Sequence, residues 1–332
     1  MTEPLTLPPQ RPGRPILGMS AVLLPFHDDG SIAWDAFAAA VDRTATAGLV
    51  PAVNMDTGYG PSLDRATRRQ VLDAAAAALG DRSPMSGWTF VAGAHLDDPG
   101  PPRPPALDLD DYRAAVAEVA DAGGVPILFP SRSIADLPEG DVAPAHAVIA
   151  RDLDRLLGFE LGHQFHLHGR IWSLATYAEV LEIPQVVGAK HSSLERGPEW
   201  DRLALRDERR PDFLVLTGND LAIDMVRWGS DYLLGLSAFA PEAFARRDRL
   251  WAAGDGRALV LDDALQALGA VAFRPPVPAY RHDAALVWQA RGWAPSSRVH
   301  PDSPTRPDGE AALLATLLDR LDAVVAATDD AA

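Results

Sequence analysis

An alternation of element types constrains this chain more than any other feature. Eight short apolar or β-branched runs, at 15–24, 49–55, 88–96, 124–130, 158–165, 184–190, 212–218 and 230–237, alternate with longer stretches, most with apolar residues at helical spacing. Parallel strands need a crossover connection and a helix supplies it, so this order predicts a parallel sheet. Eight repeats predict closure into a (β/α)8 barrel. An open doubly wound sheet is the competing arrangement, but no G-x-G-x-x-G follows the first run. Ser62 and Ser173 are expected N-caps, and Gly48, Gly80 and Gly123 expected left-handed helix ends.

Three further helical stretches follow the eighth repeat: "RALVLDDALQALGAVAF", "YRHDAALVWQARG" and "GEAALLATLLDRLDAVVAA". The sequence therefore divides into a flexible tail (1–14), the barrel (15–255) and C-terminal helices (256–330). The proline-rich "DDPGPPRPPALD" (97–108) reads as a stiff surface loop after the third strand, within reach of the barrel mouth. The N-terminus has no basic segment followed by an apolar core, so it does not read as a secretory signal. No apolar run of about 18 residues suggests a membrane span. With no cysteine, disulfides and thiolate metal sites are excluded, and the cytoplasm is the default location. A net charge of −16 opposes nucleic acid and anionic membrane as partners, which leaves a small molecule.

In such a barrel the chemistry sits where the strands end and the βα loops converge. Those ends carry Asn54, Asp56, Thr57 and Tyr59 after the second strand and His95 after the third. Glu160, His163, His166, His168 and Arg170 attend the fifth strand, and Lys190, His191 and Ser192 the sixth. Thr217, Asn219 and Asp220 follow the seventh, and Ser237 ends the eighth. Thirty positions are Lys or Arg, and all but Lys190 are Arg. Arginine stays protonated, whereas a desolvated lysine can lose its proton and attack a carbonyl. A lysine in an enclosed mouth is therefore read as the nucleophile of a Schiff-base enzyme, one that needs no cofactor.

The segments "LLPFHDDGSIAWDAFAAAVDRTATAGLVPAVNMDTGYGPSLDRATRRQVL", "VVGAKHSSL" and "LTGNDLAIDMVRWGSDYLLGLSAFAPEAFARRDRLWAAGD" occur in order over roughly 15–295. In that order and spacing the chain resembles the dihydrodipicolinate synthase / N-acetylneuraminate lyase family of Schiff-base aldolases and lyases. The resemblance implies that Lys190 is the imine-forming lysine, that Thr57 matches the second threonine of the family's G-T-T-G-E, and that Arg170 matches an arginine past its catalytic tyrosine. It also implies a homodimer or homotetramer. The first threonine is Asp56 here, the loop glutamate is Tyr59, and the tyrosine falls near Phe165, which cannot relay a proton.

These departures argue against the lysine-biosynthetic reaction, because Asp56 would repel a pyruvate carboxylate unless Arg170 or a protonated histidine compensates. A sugar-derived keto acid or keto sugar is expected as substrate, for aldol cleavage or dehydration. His163, His166 and Tyr59 are the candidate proton carriers. Asp56, Thr57, Arg170, His168, His191, Thr217, Asn219 and Ser237 are candidate substrate contacts. Two alternatives stand beside this reading. In one, His163, His166 and His168, with Glu160, Asp56, His95 or His191, hold a divalent metal for a lyase or hydrolase. In the other, the barrel is a non-catalytic sensor of a small carbonyl compound.

Overall fold

The computed structural model describes residues 7–85, 87–97 and 105–329. Eight strands, β1 (Gly18–Ala21), β2 (Val50–Val53), β3 (Val91–Ala94), β4 (Val125–Leu128), β5 (Leu156–Leu161), β6 (Val186–Ser192), β7 (Leu214–Thr217) and β8 (Asp231–Leu234), close into a barrel in sequence order. Every strand pair is parallel, including the closing pair of β1 and β8. The crossovers are α1 (Trp34–Ala47), α2 (Arg65–Leu79), α3 (Pro105–Asp121), α4 (Arg132–Ala135) with α5 (Glu139–Ala150), α6 (Leu174–Leu181) and α7 (Arg196–Arg209). After β8 come α8 (Pro241–Ala252), α9 (Arg257–Ala272), α10 (Tyr280–Ala290) and α11 (Glu310–Asp329). The (β/α)8 barrel with a helical extension is thus the observed architecture.

Both faces of each strand are covered, so the strands read as near-continuous apolar runs rather than alternating ones. Alternation still decides which way each side chain points. One set, including Met19, Val50, Ile127, Phe159, Leu216 and Leu233, fills the barrel interior. The other set packs outward against the helices in a larger layer, with Val53, Ala189 and Tyr232 among its members.

The seventh crossover differs from expectation: Ile223–Trp228 is a 3-10 helix rather than an α-helix. Ser62 lies in a 3-10 turn, and the cap of α2 is Asp64, whose side chain accepts from Thr67 N at 2.7 Å. Ser173 does cap α6, accepting from Thr176 N at 3.1 Å. Gly48, Gly80 and Gly123 all have positive φ, and Gly48 is left-handed as expected, but Gly80 with ψ −132° is not. The fifth strand stops at Leu161, and the chain turns at once, with Phe165 N donating to Gly162 O. "HQFHLH" is therefore loop throughout. The sixth runs two residues past Lys190. At the N-terminus, residues 11–14 are fastened to the barrel through Arg11 N to Arg227 O, Gly13 N to Trp251 O and an ion pair of Arg14 with Asp231. Of the segment 97–108, residues 98–104 lie outside the described residues, and α3 begins at Pro105.

The C-terminal helices return across the barrel. α9 packs on α8 and α11, and α10 meets the turn after β8, where Trp288 Nε1 donates to Ala238 O at 2.8 Å. That path brings the start of α10 to the loop after β2, at the end of the barrel where the strands finish.

Candidate active site

Lys190 lies near the C-terminal end of β6 and points into the barrel. Its Nζ sits 4.6 Å from the centre of the Phe159 ring, a residue of the interior set. The side chain is 5 % exposed, and burial lowers its pKa from the ordinary lysine value. Asp56 and Asp220 oppose that shift by attracting the ammonium, and the aromatic face adds a cation–π contact. Gly218, just past β7, has no side chain because there is no room for one. A Cβ there would collide with Lys190 Cε and Ser192 Oγ. The amine is thus held in a tight slot against an aromatic ring.

Around it the interior rings continue upward. Phe159 meets Phe129 edge-on at 5.3 Å, and Phe129 meets the His166 ring edge-on at 5.7 Å. His166 is half-buried, which lowers its pKa, while the neighbouring Asp56 raises it. Its Nδ1 accepts from His168 N at 3.2 Å, and the two histidine rings lie 5.7 Å apart. His95 stacks on Phe129 at 4.3 Å with Nε2 bonded to Asn54 O at 2.7 Å. Burial pushes His95 down to about 3, so its imidazole is neutral at physiological pH.

Two acids flank the amine. Asp220 is buried, with Oδ1 accepting from Leu236 N at 2.7 Å. Burial pushes its carboxyl up to about 7, which suits a group that exchanges protons near neutrality. Asp56 is held by a residue the sequence reading did not select. Tyr280, the first residue of α10, donates its phenol to Asp56 Oδ2 at 2.8 Å, and its oxygen lies 2.9 Å from Thr57 Oγ1. Thr57 therefore donates to Tyr280, and Tyr280 to Asp56. Burial raises the Tyr280 pKa far above the usual phenol value, so it remains a donor. Its ring is stacked on Phe273 at 4.3 Å. Ser192 Oγ, against the same Gly218, is buried with no partner of its own.

Several expected site residues face elsewhere. His191 follows Lys190 in the strand and so points to the opposite face, where its Nδ1 meets Glu160 Oε2 at 2.9 Å and its Nε2 meets Ser193 Oγ at 2.7 Å. Glu160 also accepts from Arg202 Nε at 2.6 Å and Trp172 N at 3.0 Å; burial raises its pKa, but His191 and Arg202 more than offset that and lower it. Thr217 likewise points outward and donates to Glu199 of α7 at 3.0 Å. Arg170 bonds to Ala135 O, Leu137 O and Glu139, tying the loop after β5 to α5. It is therefore not a counter-charge for Asp56. Ser237 donates to Leu234 O at 2.8 Å. Tyr59 belongs to the outer layer, between Phe26 and His300 with the Arg281 guanidinium 5.2 Å from its ring, and burial raises its pKa. His163 is exposed. Asn219 is buried; its Oδ1 accepts from Leu221 N at 3.1 Å, and its Nδ2 has no partner.

The metal reading finds no ligand set: among the described residues no three of His, Asp and Glu converge on one point. Glu160 and His191 bond to each other on the outer face, and His95 is bonded to a backbone carbonyl. Among the described residues no helix is long and apolar enough to cross a membrane.

No family model matches the chain, and no curated protein matches it. Solved structures do. A putative dihydrodipicolinate synthetase from Pseudomonas aeruginosa is 16% identical, with 92% of this chain and 99% of that one superposed at a TM-score of 0.76. A prophage protein of the dihydrodipicolinic acid synthase family from E. coli K12, in complex with pyruvate, is 17% identical over 92% and 98% at 0.78. A dihydrodipicolinate synthase from Agrobacterium tumefaciens is 21% identical over 92% and 98% at 0.74. At these identities the likeness establishes the barrel and its helical extension.

Proposed function

We propose that this chain is a Schiff-base lyase, a divergent member of the dihydrodipicolinate synthase / N-acetylneuraminate lyase family. The observation that carries the reading is Lys190 itself, the one lysine of the chain, buried and inward-facing near the end of β6 with a lowered pKa. The fold it shares with structures bearing that family's names supports the same reading.

The reaction follows from the surroundings of the amine. Neutral Nζ adds to a substrate carbonyl carbon, and the carbinolamine loses water to give a protonated imine. A base then takes a proton, either from the β-hydroxyl, so that the Cα–Cβ bond breaks into an aldehyde and an enamine that is reprotonated at Cα, or from Cα, so that the β-hydroxyl picks up a proton and leaves as water. Hydrolysis of the imine releases product and restores the amine. Asp220 is the group suited to take and return the proton, because burial keeps it near neutrality beside Lys190. His166 is the second such group, above Phe129 and in the field of Asp56.

The substrate in this reading is a sugar-derived keto acid or keto sugar rather than the lysine-biosynthetic pair. Asp56 in place of a threonine, with Arg170 bonded elsewhere, supports that choice. A cytoplasmic homodimer or homotetramer belongs to the same proposal. Leu259 and Val260 of α9 and Leu313 of α11 are exposed apolar groups that such an assembly would cover.

The test is to incubate the protein with 2-keto acids and keto sugars, reduce with cyanoborohydride and map the added mass. A secondary amine on the peptide carrying residue 190, absent in Lys190→Arg, is the expected result. Normal turnover of a substrate by Lys190→Arg would end the proposal.

A further inference from the structure

We infer that the mouth selects an uncharged hydroxyketone, a carbonyl compound flanked by hydroxyl groups with no carboxylate beside the reacting carbon. This inference rests on the imine reading of Lys190 and narrows its substrate.

Two acids and one amine share the space where the substrate must sit. Asp56 is fixed by the phenol of Tyr280, and Asp220 by Leu236 N. Both attract the Lys190 ammonium, and they repel one another, since Asp56 adds to the rise in the Asp220 pKa. One amine thus already faces two acids. A carboxylate on the substrate would be a further acid beside Asp56 and Asp220, and like charges at short range repel.

The guanidiniums nearest the described mouth loops are tied to other groups, Arg132 to Asp136 and Arg196 to Asp224 among them. Arg170 serves Ala135 O, Leu137 O and Glu139. Arg202 is bonded to Glu160 on the outer face of the barrel. Arg281 lies over Tyr59 and donates to the backbone oxygens of Asp56 and Pro278. Arg68 donates to Leu63 O and Asp97.

The polar groups that do face the amine fit hydroxyls. An ionised Asp56 accepts hydrogen bonds and calls for a donor, which a substrate O–H supplies, while Asp220 accepts or donates according to its proton. Ser192 Oγ, buried beside Lys190 and without a partner, can accept from one hydroxyl and donate to another. A buried polar atom with no partner is costly, which points to a group that completes it in the complex.

Hydroxyacetone and pyruvate make the test, because they differ only in a hydroxymethyl group against a carboxylate. Each is incubated with the protein and cyanoborohydride, and its labelling rate at Lys190 is divided by its rate with free Nα-acetyllysine. The expected result is at least tenfold preference for hydroxyacetone. Asp56→Asn and Asp56→Ser should each reduce that preference at least threefold, and Ser192→Ala should slow hydroxyacetone alone. Equal or faster labelling by pyruvate overturns the inference while leaving the imine intact. Failure of both compounds to label Lys190 overturns the imine reading, and the inference with it.

Discussion

Tyr280 donates its phenol to Asp56 across 2.8 Å, joining the first turn of α10 to the loop after β2. The C-terminal extension therefore contributes directly to the barrel mouth, and the same oxygen accepts from Thr57. Tyr280→Phe should remove both bonds while keeping the ring stacked on Phe273. Stability should fall by about 2 kcal/mol, the net worth of two typical hydrogen bonds. kcat/KM on a turned-over substrate should fall about ten- to a hundredfold, or about 1.4–2.8 kcal/mol of transition-state binding. A loss confined to stability would show that Tyr280 only fastens the helix.

Asp220 sets a pH dependence whose sign is fixed by its raised pKa. The folded protein holds this proton up to about pH 7, against 3.8 for an ordinary Asp, so it binds more protons than the unfolded chain between those values. Stability contributed by this group is therefore full below about pH 4 and declines as pH rises to about 7. Asp220→Asn should flatten that decline, measured as the difference in Tm between pH 5 and pH 8.

The outward side of β6 carries a structural charge cluster. Glu160 is buried between Arg202 and His191. Glu160→Gln leaves the Arg202 guanidinium without its counter-ion and should cost about 3–5 kcal/mol in urea denaturation. Adding Arg202→Met should recover part of that loss. No recovery would mean that the pair is not the stabilising unit.

Gly218 tests the slot around the amine. Gly218→Ala introduces a Cβ against Lys190 Cε and Ser192 Oγ, and overpacking of this kind costs about 1–3 kcal/mol. Labelling of Lys190 should slow more than stability falls, and Ser192→Ala in the same chain should restore part of the rate.

The barrel was legible in the sequence because eight short apolar runs, each with its crossover, admit few other closures. Lys190 was legible for a chemical reason: a chain that otherwise uses arginine has one amine, at a strand end. What failed was direction. With Lys190 pointing inward, the two-residue period of a strand already sends His191 outward, and Thr217 follows the same rule from its neighbours Leu216 and Gly218. That signal was present and unused. Arg170 and Tyr59 sit in loops, where no period fixes orientation. Tyr280 had no local signal at all, since only the return of α10 across the barrel brings it to Asp56.

Because Lys190 is the one lysine, a protein grown on lysine labelled with 13C at Cε gives a single side-chain resonance to titrate. The midpoint should lie below 10.5, the ordinary value for this group. Hydroxyacetone should move the resonance to the position of an imine. A midpoint at or above 10.5, with no change on adding the ketone, would contradict the imine-forming role of Lys190.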